Sequence, residues 1–192
     1  MKVAIIESVS PADLKAGRCE GPELAKYLKG LGFTTSYAYV HDICGLKKAI
    51  AKAEKADVVH LSCHANDEGI GLEDNTFIKW EELKGVAGDG LKDRMLSLSS
   101  CKGGVRSTPS RLLFQCAGAS RLVAPFNEVD WAESLAAFKV YYKGILDNRS
   151  LADIACDMNQ KTSGRFRIYE RTGVNTYGKF PACQAVNPVR RI

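Results

Sequence analysis

Residues 94–104, RMLSLSSCKGG, decide the fold. Positions 95–98 have the apolar run of a buried strand, Ser99 and Ser100 are small residues at its mouth, and Lys102, Gly103 and Gly104 turn the chain away. Cys101 is thereby expected at a strand's C-terminal tip. In an open parallel α/β sheet such tips border the crevice where ligands bind. A thiol there can act as a nucleophile if something nearby favours its thiolate. The helper is sought 37 residues upstream, in ADVVHLSCHANDEG (56–69), where a second apolar run, 58–63, delivers His64 to its own exit. As neighbouring parallel strands the two runs would lie about 4.8 Å apart, which brings sulfur and imidazole within reach of each other. The residues between them can hold a loop and one crossover helix, as a right-handed β-α-β link requires.

Composition sets the frame for that pair. A chain of 192 residues, 45% hydrophobic and 26% charged, can bury one sizeable core, and a single domain over 1–192 is expected. Lys and Arg number 27 against 22 Asp and Glu, a net +5 spread along the sequence. With no basic run interleaved with aromatics, this reads as a solvated surface and not a nucleic-acid footprint. The seven cysteines, Cys19, Cys44, Cys63, Cys101, Cys116, Cys156 and Cys183, have no regular spacing and form no CxxC pair. With three histidines beside them, no zinc framework is expected, and no other metal or cofactor. The first apolar run, 3–6, is stopped by Glu7, too short for a signal segment, and no stretch approaches the ~20 apolar residues of a membrane span. The expectation is a cytoplasmic protein, away from membranes, with its thiols reduced.

In chain order, 2–7 reads as a first buried strand followed by a polar loop through Ser8, Pro11 and Gly17. Gly21, Pro22 and Glu23 open a helix with Leu24, Tyr27, Leu28 and Leu31 at helical spacing. Residues 33–40 alternate as a second strand, and Asp42 can cap a helix through Leu46, Ala49, Ile50 and Ala53. The third strand carries His64 out, so the series is β-α-β-α-β and the sheet mostly parallel. Residues 65–75, rich in Gly, Asp and Asn, are expected as a loop or small hairpin, 76–78 as a short edge strand, and the stretch from Lys79 as a helix burying Trp80, Leu83 and Val86. Beyond Cys101 the pattern predicts a helix over 110–117, a strand over 121–124, a loop over 125–130, a helix over 131–146 and a last helix capped by Ser150. The polar tail from Gly164, with Arg165, Arg167, Arg171, Arg190 and Arg191, is expected to add an edge strand around 166–169.

The residues around Cys101 carry further chemistry. Lys102 and Arg106 supply positive potential, and Gly103 and Gly104 can turn backbone N–H groups toward a reacting oxygen. His60, inside its strand, reads as a satisfied core histidine. Cys63 precedes His64, but successive strand residues face opposite ways, so it reads as core. A tyrosine-phosphatase loop needs arginine six places after its cysteine, where this chain has Ser107, and no Walker-type loop is present. A flavodoxin-like or receiver domain needs an acidic cluster at the first strand's exit, where only Glu7 stands.

VVHLSCHA (58–65), SLSSCKGG (97–104) and LLFQCAGASRLVAPFNEVDWAESLAAFKVYYKGILDNRSLADIACDMN (112–159), in that order, resemble the caspase-like cysteine peptidases, and within them the bacterial CHAT branch. The likeness covers roughly residues 56–160. It implies an α/β fold, a caspase-like three-layer sandwich with a mostly parallel central sheet between helices. It implies a thiol protease with Cys101 as nucleophile, His64 as proton carrier and the backbone N–H groups of Cys101 and Ala65 as oxyanion donors. Alanine at 65, where the family more often has glycine, is a departure. Glu128 and Asp130, on the loop leaving the next strand, would favour Arg or Lys before the cut through a charge-assisted pair. The resemblance further implies a protein or peptide substrate and a separate regulatory protein that switches the enzyme on, in an antiviral defence or cell-death system. The alternative is a catalytically inactive module of the same fold, serving interaction or regulation.

Overall fold

The computed structural model describes residues 1–105, 108–115, 117–163, 165–172 and 176–177. Among these residues nine strands form the sheets: β1 (Lys2–Ser8), β2 (Thr34–Tyr39), β3 (Val58–Ala65), β4 (Gly69–Gly71), β5 (Phe77–Lys79), β6 (Met95–Ser99), β7 (Arg121–Pro125), β8 (Phe166–Glu170) and β9 (Thr176–Tyr177). The order is β2-β1-β3-β6-β7-β8-β9, with β4 and β5 as a hairpin on the end of β3. Pairings from β2 through β7 are parallel, and those of β8 and β9 antiparallel. The twin apolar runs are thus neighbours in the sheet, as the sequence pattern requires.

Alternation along each strand feeds two cores. Ile6, Val59, Leu61, Leu96 and Leu98 face one side, under α3 (Ile43–Lys52) and α4 (Leu83–Ala87), and enclose Trp80. Val3, Ile5, Val58, Val123 and Ile168 face the other, under α2 (Gly21–Gly30), α6 (Trp131–Leu146) and α7 (Leu151–Lys161). Helix starts fall where capping residues stand: Asp42 accepts from Gly45 N–H, Asp130 from Ala132 N–H and Ser150 from Asp153 N–H. No described helix is long and apolar enough to cross a membrane.

Several expectations need correction. The polar loop after β1 contains a short helix, α1 (Pro11–Lys15), whose N-cap Ser10 accepts from Asp13 N–H. Five residues are too few for an apolar period to show. The helix expected over 110–117 is a turn at Thr108–Ser110 (α5) continuing as a π-turn, Arg111–Gln115; Cys116 and Arg106 lie outside the described residues, as do Arg190 and Arg191. β3 runs on through Ala65 because β4 pairs with His64 and Ala65. Among the described residues Cys19, Cys44, Cys63 and Cys101 carry free thiols.

Candidate active site

The parallel register between β3 and β6 runs from Val58 opposite Met95 to Ser62 opposite Ser99, an offset of 37 residues. The same offset carries His64 to Cys101, just beyond the last pair. Both line one cavity of about 150 Å³, together with Ser99, Ser134, Trp131 and Arg18. Its far wall is the start of α6, which Asp130 caps. Cys101 Sγ donates to Val129 O at 3.6 Å, so the thiol is held against that wall.

Asp13 completes the arrangement. His64 Nε2 lies 2.7 Å from its Oδ2, although the two residues are 51 apart in sequence. Hydrogen bonding from Ser10, then from His64 and Arg18, outweighs desolvation and holds the Asp13 carboxyl below its ordinary value. An ionised carboxylate only accepts, so Nε2 carries the hydrogen and Nδ1 is left to take a proton. The Trp131 ring stands edge-on to His64, centroids 5.7 Å apart, and restricts the imidazole from the α6 side. Asp13 was not among the residues singled out from sequence. Ser10-Pro11-Ala12-Asp13 does carry a helix-start signature that could have placed α1. Nothing local, however, shows that α1 docks on β3.

The strand alternation also fixes the direction of the Ala65 N–H. Met95 N–H donates to Asp57 O, and with Val58 opposite Met95 the N–H groups of the odd-numbered residues of β3 run toward β6. Even-numbered ones face β1 and then β4, where His64 pairs with Gly71 and Asn66 N–H donates to Gly69 O. Ala65 N–H therefore points to the side on which Cys101 stands. The N–H groups of Gly103 and Gly104, by contrast, are already engaged, with Ser100 O and Pro125 O, and that of Lys102 with Asn127 O. Those glycines serve packing: a Cβ on Gly103 would lie 2.6 Å from Leu98 Cδ2, and one on Gly104 3.1 Å from Ala124 O. Nor is Lys102 available as a bare positive charge, because its Nζ pairs with Glu128 Oε1 at 2.9 Å.

Glu128 and Asp130 both stand near Cys101. They line a second, more open hollow with Ala65, Cys101, Glu133 and Ser163. One oxygen of Asp130 is committed to the α6 cap, and Glu128 is held below its ordinary value by Lys102. Glu133 accepts from the Ser163 hydroxyl. The 150 Å³ cavity is different in character: its floor is the buried pair Ser99 and Ser134, hydroxyl oxygens 2.6 Å apart. His60 is a satisfied core residue, as expected, bonded to Glu20 and Tyr142. Cys63 is 1% exposed, and burial pushes its thiol well above the ordinary value.

No family model matches the chain, and no curated protein matches it in sequence. Among solved structures it is similar to the Arg-specific cysteine proteinase gingipain R, with TM-score 0.50 and 11% identity over 77% of this chain and 37% of that one. It is also similar to the complex of pro- and mature domains of Porphyromonas gingivalis RgpB, with TM-score 0.52 and 10% identity over 84% of this chain and 41% of that one. The chain thus spans about two fifths of the length of either neighbour. What it shares with them is the fold: a caspase-like α/β sandwich whose mostly parallel sheet lies between two helical layers.

Proposed function

We propose that the chain is a caspase-like cysteine peptidase that cuts a protein substrate with Cys101 and His64. The carrying observation is their joint lining of one cavity from register-matched tips of adjacent strands. His64 Nδ1 accepts the thiol proton as sulfur attacks the peptide carbonyl, and Ala65 and Cys101 N–H groups bind the oxygen that gains charge. The C–N bond then breaks with the proton going to the leaving amine, and water hydrolyses the thioester. Asp13 stabilises the imidazolium formed in the first step. The acidic hollow of Glu128, Asp130 and Glu133 favours a basic side chain beside the scissile bond.

The ordered segments from His64 to α7 support assignment to the CHAT branch. On that reading a separate protein switches the enzyme on, and the setting is cytoplasmic defence or cell death. The test is cleavage of basic fluorogenic peptides and of candidate protein substrates by the chain, by Cys101→Ala and by His64→Ala. Loss of cleavage in both variants supports the peptidase. Cleavage undiminished in Cys101→Ala refutes it, and no cleavage by any form, with Cys101 reacting no faster than other thiols, favours the inactive interaction module.

A further inference from the structure

His60 and His64 lie four residues apart on one face of β3, and each meets a carboxylate from the segment between β1 and α2. His64 Nε2 is 2.7 Å from Asp13 Oδ2, and His60 Nε2 is 2.7 Å from Glu20 Oε1. The second pair is fully buried, His60 0% and Glu20 1% exposed. We propose that the Glu20–His60 pair is a positioning device, which clamps this segment to β3 so that Asp13 meets His64 in the orientation the thiol needs.

The connections are short and directional. Glu7, itself 0% exposed, accepts from Glu20 N–H at 2.8 Å and Gly21 N–H at 3.0 Å, which fixes the segment's far end on β1. Its carboxylate also accepts from the Tyr37 hydroxyl at 2.8 Å. Two residues before Glu20, Arg18 N–H donates to Asp13 O at 2.8 Å, so the anchor passes directly to the residue that holds His64. On the sheet side, His60 Nδ1 lies 3.1 Å from the Tyr142 hydroxyl, which donates to Ser97, and the ring packs edge-on to Phe138 at 4.6 Å. The imidazole is thereby braced by α6 and β6, and Glu20 is drawn to a fixed point. Buried pairs of this kind contribute weakly to net stability compared with apolar residues of the same volume. Their directionality is what an apolar contact at the same place could not supply.

The inference rests on the dyad proposed above, but its test needs no turnover. In isotopically labelled full-length chain, nitrogen chemical shifts report which ring nitrogen of neutral His64 carries the hydrogen. Wild type should show the Nε2–H form. Asp13→Ala should show a mixture of both forms, and Glu20→Ala the same mixture, with Cys101 alkylation by iodoacetamide slowed about tenfold, since a misplacement near 1 Å can cost up to about a hundredfold. Glu20→Gln, which keeps a hydrogen bond to His60, should restore the wild-type form. Where Glu20→Ala fails to fold, the double variant Glu20→Leu with His60→Phe replaces the pair by apolar groups, and it should fold while still giving the mixture. If either folded variant retains the wild-type Nε2–H form, the pair is merely structural and the proposal is overturned. If the mixture appears while wild type cuts no peptide and its Cys101 reacts no faster than the other thiols, the clamp stands and the peptidase reading fails.

Discussion

Replacing Asp13 with alanine should slow the reaction of Cys101 with iodoacetamide about tenfold near neutral pH. The structure supplies the terms. When sulfur gives up its proton, His64 becomes a cation whose Nε2–H meets Asp13 Oδ2 at 2.7 Å. Two unit charges about 4 Å apart attract by about 4 kcal/mol at an effective dielectric of about 20. That figure must be reduced, because the His64 side chain is 52% exposed and only Asp13, at 12%, is well covered. A hydrogen bond to a charged group, about 1.5–3 kcal/mol, is the better guide, and the exposed imidazole argues for its lower end. About 1.5 kcal/mol is roughly a tenfold change in rate. Asp13→Asn should cost less, about threefold. The Ser10 hydroxyl and His64 Nε2–H both donate to the Oδ2 position, so the amide oxygen takes that place, and the charge and the Arg18 contact to Oδ1 are lost. The assay is second-order alkylation of Cys101 followed by mass spectrometry, with circular dichroism to confirm folding. A folded Asp13→Ala variant reacting within about twofold of wild type would refute the reasoning.

Acid should reveal the same carboxylate through stability. Because the folded state holds Asp13 below its ordinary value of 3.8, its contribution is present above that value and is lost as pH falls through the lower folded value. The gap in urea midpoint between wild type and Asp13→Asn should therefore be steady at neutral pH and close below about pH 4; a gap that widened on acidification would contradict the assignment. Gly69→Ala puts a Cβ 2.1 Å from the Ile78 carbonyl oxygen, a backbone atom that cannot step aside. It should destabilise the chain by about 2–3 kcal/mol in urea unfolding, through the hairpin that pairs with His64. Asp130→Asn can keep the α6 cap but removes a charge from the hollow beside Cys101, and should weaken the preference for Arg or Lys substrates by about tenfold; an unchanged preference would mean that the substrate side chain does not enter that hollow.

The sequence made the site's frame legible for definite reasons. Two apolar runs bounded by turn residues predicted neighbouring parallel strands, and the 37-residue spacing of His64 and Cys101 matches the strand register. Asp42 and Ser150 announced helix starts because capping is a local interaction. What stayed hidden depends on contacts between remote segments. Asp13 reaches His64 across 51 residues and Glu20 reaches His60 across 40, and no periodicity reports either. Gly103 and Gly104 show the reverse case: their flexibility suggested oxyanion donors, but their N–H groups are spent on the turn and their missing side chains make room for Leu98 and β7.

Competition among the cysteines tests the central claim most directly. Treat the chain with less than one equivalent of iodoacetamide and map the modified residue by mass spectrometry, in wild type and in His64→Ala. Cys44 is exposed and Cys101 only partly so; accessibility alone would favour Cys44. If His64 activates Cys101, the label should fall on Cys101 in wild type and pass to Cys44 in His64→Ala. Label on Cys44 first in both proteins would contradict the dyad.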